Sequence, residues 1–215
     1  NIITRVRAEG NLWHGFELGT MSYQNRFIQC AALNFSKTGF LVETFLSQPA
    51  TNYWGSGVIA SVPVSSNGTV VATGALMGAQ SGRIYVSNSV SRSSGHIVFS
   101  VAPSVVFGDY NVYHQVSTNS LFTRTLRTVP FGVAETSLGS FEAWKAWNQS
   151  DSNSLAADPV FADLDGGDLH PRSRGGRYVP ADGSFASDDE TSPLIDTADP
   201  AMAWTNESPA NRRHA

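Results

Sequence analysis

Two stretches of this chain can be laid over one another: Arg7-Ala-Glu-Gly-Asn11-Leu-Trp-His-Gly15-Phe-Glu-Leu18 and Cys30-Ala-Ala-Leu-Asn34-Phe-Ser-Lys-Thr-Gly39-Phe-Leu-Val42. Each reads as a strand, an Asn-bearing turn, a glycine and a second strand. A third stretch, Tyr85-Val-Ser-Asn88-Ser-Val-Ser-Arg-Ser-Ser-Gly95-His-Ile-Val98, keeps the order with Ser91 where the others have Asn. Gly15 and Gly39 are 24 residues apart, and Gly39 and Gly95 are 56 apart. The longer interval accommodates two further steps if one carries an insertion, and Asn52-Tyr-Trp-Gly-Ser56 is the expected inserted loop. The intervening step is expected to run through the apolar, β-branched runs at 57–64 and 69–73, separated by the turn signal Ser65-Ser-Asn-Gly68.

A period of roughly 20 to 30 residues with short strands and no intervening helix is the signature of a solenoid. One coil cannot bury its inward side chains alone, so coils stack, their strands pair in parallel, and Val, Ile, Phe and Leu fill the interior. Asn suits the turns because it tolerates left-handed backbone and hydrogen-bonds locally. A β-sandwich is the alternative, being equally rich in short strands. The solenoid is favoured because the turn-Gly-strand unit recurs in one direction and tight Asn-Gly hairpin signals are scarce.

Composition agrees with stacked coils. Only 15% of the 215 residues are charged and 41% are hydrophobic, while Ser, Thr and Asn number 27, 15 and 13. Soluble domains average about 25% charged residues, so polar uncharged side chains must wet this surface. Residues 1–149 carry nine Lys or Arg against six Asp or Glu, whereas 150–215 carry five against twelve. A nearly neutral body therefore precedes an acidic, turn-rich tail. With only Lys37 and Lys145 as lysines, a polyanion-binding stripe of the kind nucleic acid requires is not expected. No stretch approaches the ~20 apolar residues of a bilayer span. The single Cys30, among Phe27, Ile28, Ala31 and Leu33, reads as a small core residue.

After Asp109-Tyr-Asn-Val-Tyr113 the pattern changes. Ser137–Trp147 predicts a short helix with Ser140 as N-cap, Glu142 in the first turn, and Leu138, Phe141 and Trp144 along one side. The expected organisation is coils over 1–113, a connection with the helix over 114–150, and an acidic cap segment over 151–215. Such a segment would protect the strand edges and apolar core at the end of a coil stack.

In order, Asp109-Tyr-Asn-Val-Tyr113, Ser140-Phe-Glu-Ala-Trp144, Asp151-Ser-Asn-Ser-Leu155, Ala157-Asp-Pro-Val-Phe161, Gly167-Asp-Leu-His170 and Ser192-Pro-Leu-Ile-Asp-Thr-Ala-Asp-Pro200 resemble the C-terminal part of bacterial right-handed parallel β-helix proteins of the pectate-lyase-like superfamily. The resemblance covers about 110–200 well and the repeats of 1–100 loosely. It implies an all-β, right-handed parallel β-helix with a short α-helix and an irregular C-terminal cap, and a secreted or cell-surface setting. These motifs occur across lyases, hydrolases and large exported surface proteins, so they speak to fold rather than reaction. Such proteins usually continue with a Gly-rich strand, and the chain is accordingly expected to be a piece of a longer exported protein.

For chemistry, β-elimination on a uronic acid needs a Lys or Arg base plus calcium or a basic group to neutralise the carboxylate. Lys37, just before Gly39, and Arg92 on a later coil are the candidates. His14-Gly-Phe-Glu-Leu-Gly19 resembles a coil segment that carries ligand aspartates in calcium-dependent pectate lyases, with His14 and Glu17 in their places. Inverting hydrolysis would need two carboxylates about 6.5–9.5 Å apart, for which Glu9, Glu17 and Glu43 are the nearest set. Asp163, Asp165 and Asp168 around Gly166-Gly167 alternate like a calcium loop without its terminal Glu. Trp13, Tyr53 and Trp54 could stack against sugar rings. The expectation is an extracellular or cell-surface module, structural or glycan-binding, with polysaccharide as partner and calcium as the one conceivable cofactor. The alternatives are a polysaccharide lyase or glycoside hydrolase acting on acidic polysaccharide, and a filament or lattice subunit that self-associates through its coil ends.

Overall fold

The computed structural model describes residues 2–11, 14–18, 26–28, 30–33, 38–42, 50–54, 59–61, 74–77, 82–87, 90–93, 96–101, 105–116, 121–128, 132–179 and 181–201. The chain divides into two units, Asn1–Ala157 and Asp158–Ala215.

In chain order the first unit contains β1 (Ile2–Thr4), β2 (Arg7–Glu9), β3 (His14–Leu18), β4 (Arg26–Ile28), β5 (Ala31–Leu33), β6 (Thr38–Val42), β7 (Ala50–Trp54), β8 (Ile59–Ser61) and β9 (Gly74–Met77). There follow β10 (Gly82–Ser87), β11 (Val90–Ser93), β12 (His96–Val101), β13 (Val105–Asp109), β14 (Val112–Gln115), β15 (Leu121–Thr128), β16 (Gly132–Leu138), α1 (Phe141–Asn148) and β17 (Leu155–Ala156). The second unit holds β18 (Phe161–Asp163), β19 (Asp168–Pro171), β20 (Arg177–Val179) and β21 (Ser184–Ala186), paired as two antiparallel ribbons. Among the described residues the protein is strand-rich, with one short helix, and no sheet closes into a barrel.

From β1 to β15, sequential strands of the first unit lie in different sheets. The first sheet has the order β1-β4-β7-β10-β13, the second β17-β14-β11-β8-β5-β2, and the third β16-β15-β12-β9-β6-β3. All pairings in these sheets are parallel except that of β16 with β15. Parallel pairs require a crossover rather than a tight turn, and the intervening strands in the other two sheets supply it.

Register explains why these short segments are strands. In the third sheet Phe16, Phe40, Leu76, Val98, Phe122 and Leu138 occupy one continuous row. Phe122 is fully buried, so at that strand the row meets the core. In the second sheet Ala8, Ala32, Ala60, Ser91 and Tyr113 share a row. Ala32 and Tyr113 are buried, as are Cys30, Leu33, Val90 and Val112. The Cys30 thiol donates to the Ile3 carbonyl at 3.5 Å. A reactive surface thiol is thereby excluded, since a buried sulfur is inaccessible to oxidants.

Two local expectations need correction. Asn52-Tyr-Trp54, expected in an inserted loop, belongs to β7, which pairs with both β4 and β10. The Thr, Tyr and Trp of that segment suit a pleated surface, and strand pairing uses them. Ser91, aligned with Asn11 and Asn34 as a turn residue, is inside β11 beside Ala60. The Gly15–Gly39 alignment coincides with the pairing of His14 with Thr38 and Phe16 with Phe40. Gly95, by contrast, is two residues off register, because His96 is the residue in the row of His14 and Thr38. Residues 62–73, including the expected turn at Ser65–Gly68, lie outside the described residues.

The helix forms where the sequence predicts it. Ser140 is extended and its hydroxyl accepts from the Ala143 N–H at 3.2 Å, while Gln149, at φ 52°, closes the C-terminus through its N–H to the Lys145 carbonyl. Leu138, expected on the helix, ends β16 instead. Phe141 and Trp144 are buried by α1. Phe122 stacks on Trp144 at 5.5 Å between centroids and meets Tyr113 edge-on at 5.4 Å, and Phe141 is 5.4 Å from Tyr113. Aromatic rings from β14, β15 and α1 thus form one cluster, each pair contributing about 0.5–1.5 kcal/mol beyond the area it buries.

Candidate functional site

The most highly connected polar group described in the first unit is Asp151. It is 1% exposed and adopts φ 61°, a left-handed conformation that Asp tolerates better than most side chains. Its Oδ1 accepts from Asn111 Nδ2 at 3.1 Å, the Tyr113 hydroxyl at 3.0 Å and the Ser154 hydroxyl at 2.7 Å. Its Oδ2 accepts from the Trp144 ring N–H at 3.1 Å and from the Ser150 hydroxyl at 3.4 Å. A buried carboxylate is tolerated only when its lone pairs are filled, and here five donors fill them.

The donors come from three separate sequence motifs, at 109–113, 140–144 and 150–155. Asn111 is itself buried, and its N–H donates to the Ser154 hydroxyl at 2.9 Å. Asp109 repeats the arrangement nearer the surface, accepting from the Asn153 side chain at 2.9 Å as well as from the Asn153 N–H. Burial, and then the adjacent Asp151 carboxylate, push the Tyr113 hydroxyl well above its ordinary value of 10.0. Tyr113 is therefore held neutral as a donor. Chemically this is a fastening: every lone pair is directed at protein, none at a cleft. That Asn111 and Tyr113 converge on Asp151 was not legible in the sequence, because 40 and 38 residues separate them from it.

The sugar and lyase candidates fall in several places. Trp13 and Lys37 lie outside the described residues, as does Glu43. Glu17 is in β3, paired in register with Leu41. Tyr53 and Trp54 are consecutive in β7 and so occupy opposite faces of the first sheet. Tyr53 shares its row with Arg26 and Tyr85, and Trp54 shares its row with Phe27 and Val86. Arg92 is half-buried in β11, in register with Ser61 and His114. Glu9 pairs with Arg7 at 2.9 Å, both partly exposed.

The three aspartates of the acidic turn lie in the second unit. Asp163 ends β18 and its Oδ1 accepts from the Gly166 N–H at 2.9 Å. A Cβ on Gly166 would meet that carboxylate, so a larger residue there would turn the exposed Asp163 side chain aside. Asp168 opens β19, where its Oδ1 accepts from the His170 N–H and ring and its Oδ2 lies 3.4 Å from Arg177. Partial burial acts to raise the Asp168 pKa, but the His170 bonds and then Arg177 outweigh it and hold it below 3.8. Asp165 is exposed. Among the described residues, no group of three His, Cys, Asp or Glu side chains is placed to hold a metal ion. Arg177 also grips Asp188, through its Nε at 3.0 Å, and Asp188 accepts the Ser173 N–H at 2.9 Å. This acidic segment thus spends much of its charge on its own turns.

No described helix is long and apolar enough to cross a membrane. Compared with family models, curated proteins and solved structures, the chain finds no match in any of the three.

Proposed function

We propose that the chain is a right-handed parallel β-helix module of a longer exported protein, acting at the cell surface or outside it in a structural or glycan-binding role. The observation that carries this reading is the connectivity of the first unit. Each strand from β1 to β12 pairs in parallel with the strand three places later, which is what a chain winding through three faces per turn would give. Parallel crossovers are almost always right-handed, hence the hand. The antiparallel β16, the helix and the Asp151 fastening suit an end cap, since they cover strand edges that would otherwise pair with other chains.

The non-catalytic role is supported by how the described carboxylates are used. Asp109, Asp151, Asp163, Asp168 and Asp188 accept hydrogen bonds from neighbouring protein groups, which suits architecture better than proton transfer to a substrate. A uronate lyase is the second reading, favoured by the neighbouring Arg92 and His114 in one row of the second sheet.

Incubating the chain with polyuronates and calcium separates the two. Retardation in a polysaccharide gel without ultraviolet absorbance from unsaturated products is expected. Turnover that disappears in Lys37→Ala or Arg92→Ala would overturn the non-catalytic reading.

A further inference from the structure

Among the described strands, the second sheet ends on β2, as the first ends on β1 and the third on β3. One coil later, Cys30 and Ala32 flank Ala31, the register partner of Arg7, and both are fully buried. Their counterparts on the first coil differ: Val6 is 42% exposed and Ala8 is half-buried, and Ile2, on β1, is 63% exposed. Apolar side chains of the first coil thus present surface beside a sheet edge, the combination that invites another strand.

The backbone of β2 fixes which residues such a strand would meet. The Ala31 N–H donates to the Val6 carbonyl at 3.0 Å, and the Gly10 N–H donates to the Leu33 carbonyl at 3.2 Å. Val6, Gly10 and, by alternation, Ala8 therefore direct their peptide groups at β5, whereas Arg7 and Glu9 direct theirs to the other side. The Arg7 and Glu9 side chains are each 43% exposed and lie 2.9 Å apart. Read backwards, Arg7-Ala8-Glu9 is its own complement: in an antiparallel pair centred on Ala8, each Arg7 lies opposite a Glu9.

We propose that two copies of the chain join edge to edge through β2, antiparallel, about a two-fold axis at Ala8. Arg7 of each copy exchanges both backbone hydrogen bonds with Glu9 of the other. The two Ala8 residues form the non-hydrogen-bonded pair between them, with Cα atoms about 4.5 Å apart. Opposite charges directly across an antiparallel pair stabilise it, and the symmetry supplies that contact twice. A two-fold contact uses the same patch on both copies and closes after two, so a discrete dimer results rather than the filament that end-to-end stacking would build. The pairing uses the sheet order of the first unit and is independent of glycan binding.

Sedimentation equilibrium and oxidative cross-linking of the whole chain test it. A monomer–dimer equilibrium at micromolar concentration is expected. Ala8→Cys is expected to give a disulfide-linked dimer under mild oxidation, because that Cα separation is within disulfide range. Ser152→Cys, at an exposed position of the same unit, is expected to remain uncross-linked. Arg7→Glu sets carboxylates opposite one another and is expected to raise the dissociation constant about tenfold. Adding Glu9→Arg to it restores a self-complementary order and the original affinity. If Arg7→Glu alone disturbs folding, as read by circular dichroism, the double variant and Ala8→Cys carry the test. A chain that stays monomeric throughout would overturn the proposal and leave this edge to another coil of a longer protein. A dimer that Arg7→Glu leaves intact in a folded chain, or that Ser152→Cys cross-links as fast as Ala8→Cys, would overturn the β2 pairing.

Discussion

Asp151 is where single residues matter most. Asp151→Asn replaces one acceptor oxygen with a donor among groups that are themselves donors, the Tyr113 hydroxyl, the Asn111 amide and the Trp144 ring N–H. Hydrogen bonds to a charged partner contribute about 1.5–3 kcal/mol, and an unsatisfied buried group costs a similar amount. A loss of about 3 kcal/mol in urea unfolding is expected; a change under about 0.5 kcal/mol, the range of ordinary surface substitutions, would contradict the fastening. Tyr113 gives a pH signature. Its pKa is raised in the folded state, so its contribution is complete below the unfolded phenol value near 10 and is lost as pH rises from there through the folded value. Thermal melts between pH 8 and 11 should show a steeper alkaline fall for the wild type than for Tyr113→Phe. Parallel curves would rule out that neutral, buried tyrosine.

Helix α1 depends on two devices of different size. Ser140→Ala removes the side-chain cap on the Ala143 N–H and should cost about 1 kcal/mol. Phe122→Ala removes the ring that joins Tyr113 to Trp144 and should cost about 3–5 kcal/mol, measured by the same unfolding; a larger effect at Ser140 than at Phe122 would reverse the account. The helix was legible because its signals are local: a serine cap, an acidic first turn, and Phe141 and Trp144 spaced three apart. Strand register was less so. The glycines at 15 and 39 fall at equivalent positions because each directly follows one member of the register pair His14 and Thr38. Gly95 misleads because a glycine marks a turn wherever one occurs, whereas register is fixed by which side chains fill the core. β7 was missed for the opposite reason: Asn52 and the following Gly55 resemble a loop, and only pairing on both sides by β4 and β10 makes the segment a strand.

At the scale of the whole molecule, the low charge and the abundance of Ser, Thr and Asn signalled strands and turns but could not assign faces. Arg26, Tyr53, Tyr85 and Phe107 share a row only because three separate crossovers return the chain to the same sheet, a juxtaposition that no sequence window contains. The central claim is that each strand from β1 to β12 pairs in parallel with the third strand after it, rather than with its sequence neighbour in successive hairpins. Interstrand proton contacts measured by nuclear magnetic resonance on the isotopically labelled chain test it most directly. Parallel pairing predicts contacts joining Ala32 to Ala60, Val90 to Val112 and Phe16 to Phe40. Antiparallel contacts joining β5 to β6 or β11 to β12, as in the hairpins of a β-sandwich, would contradict it.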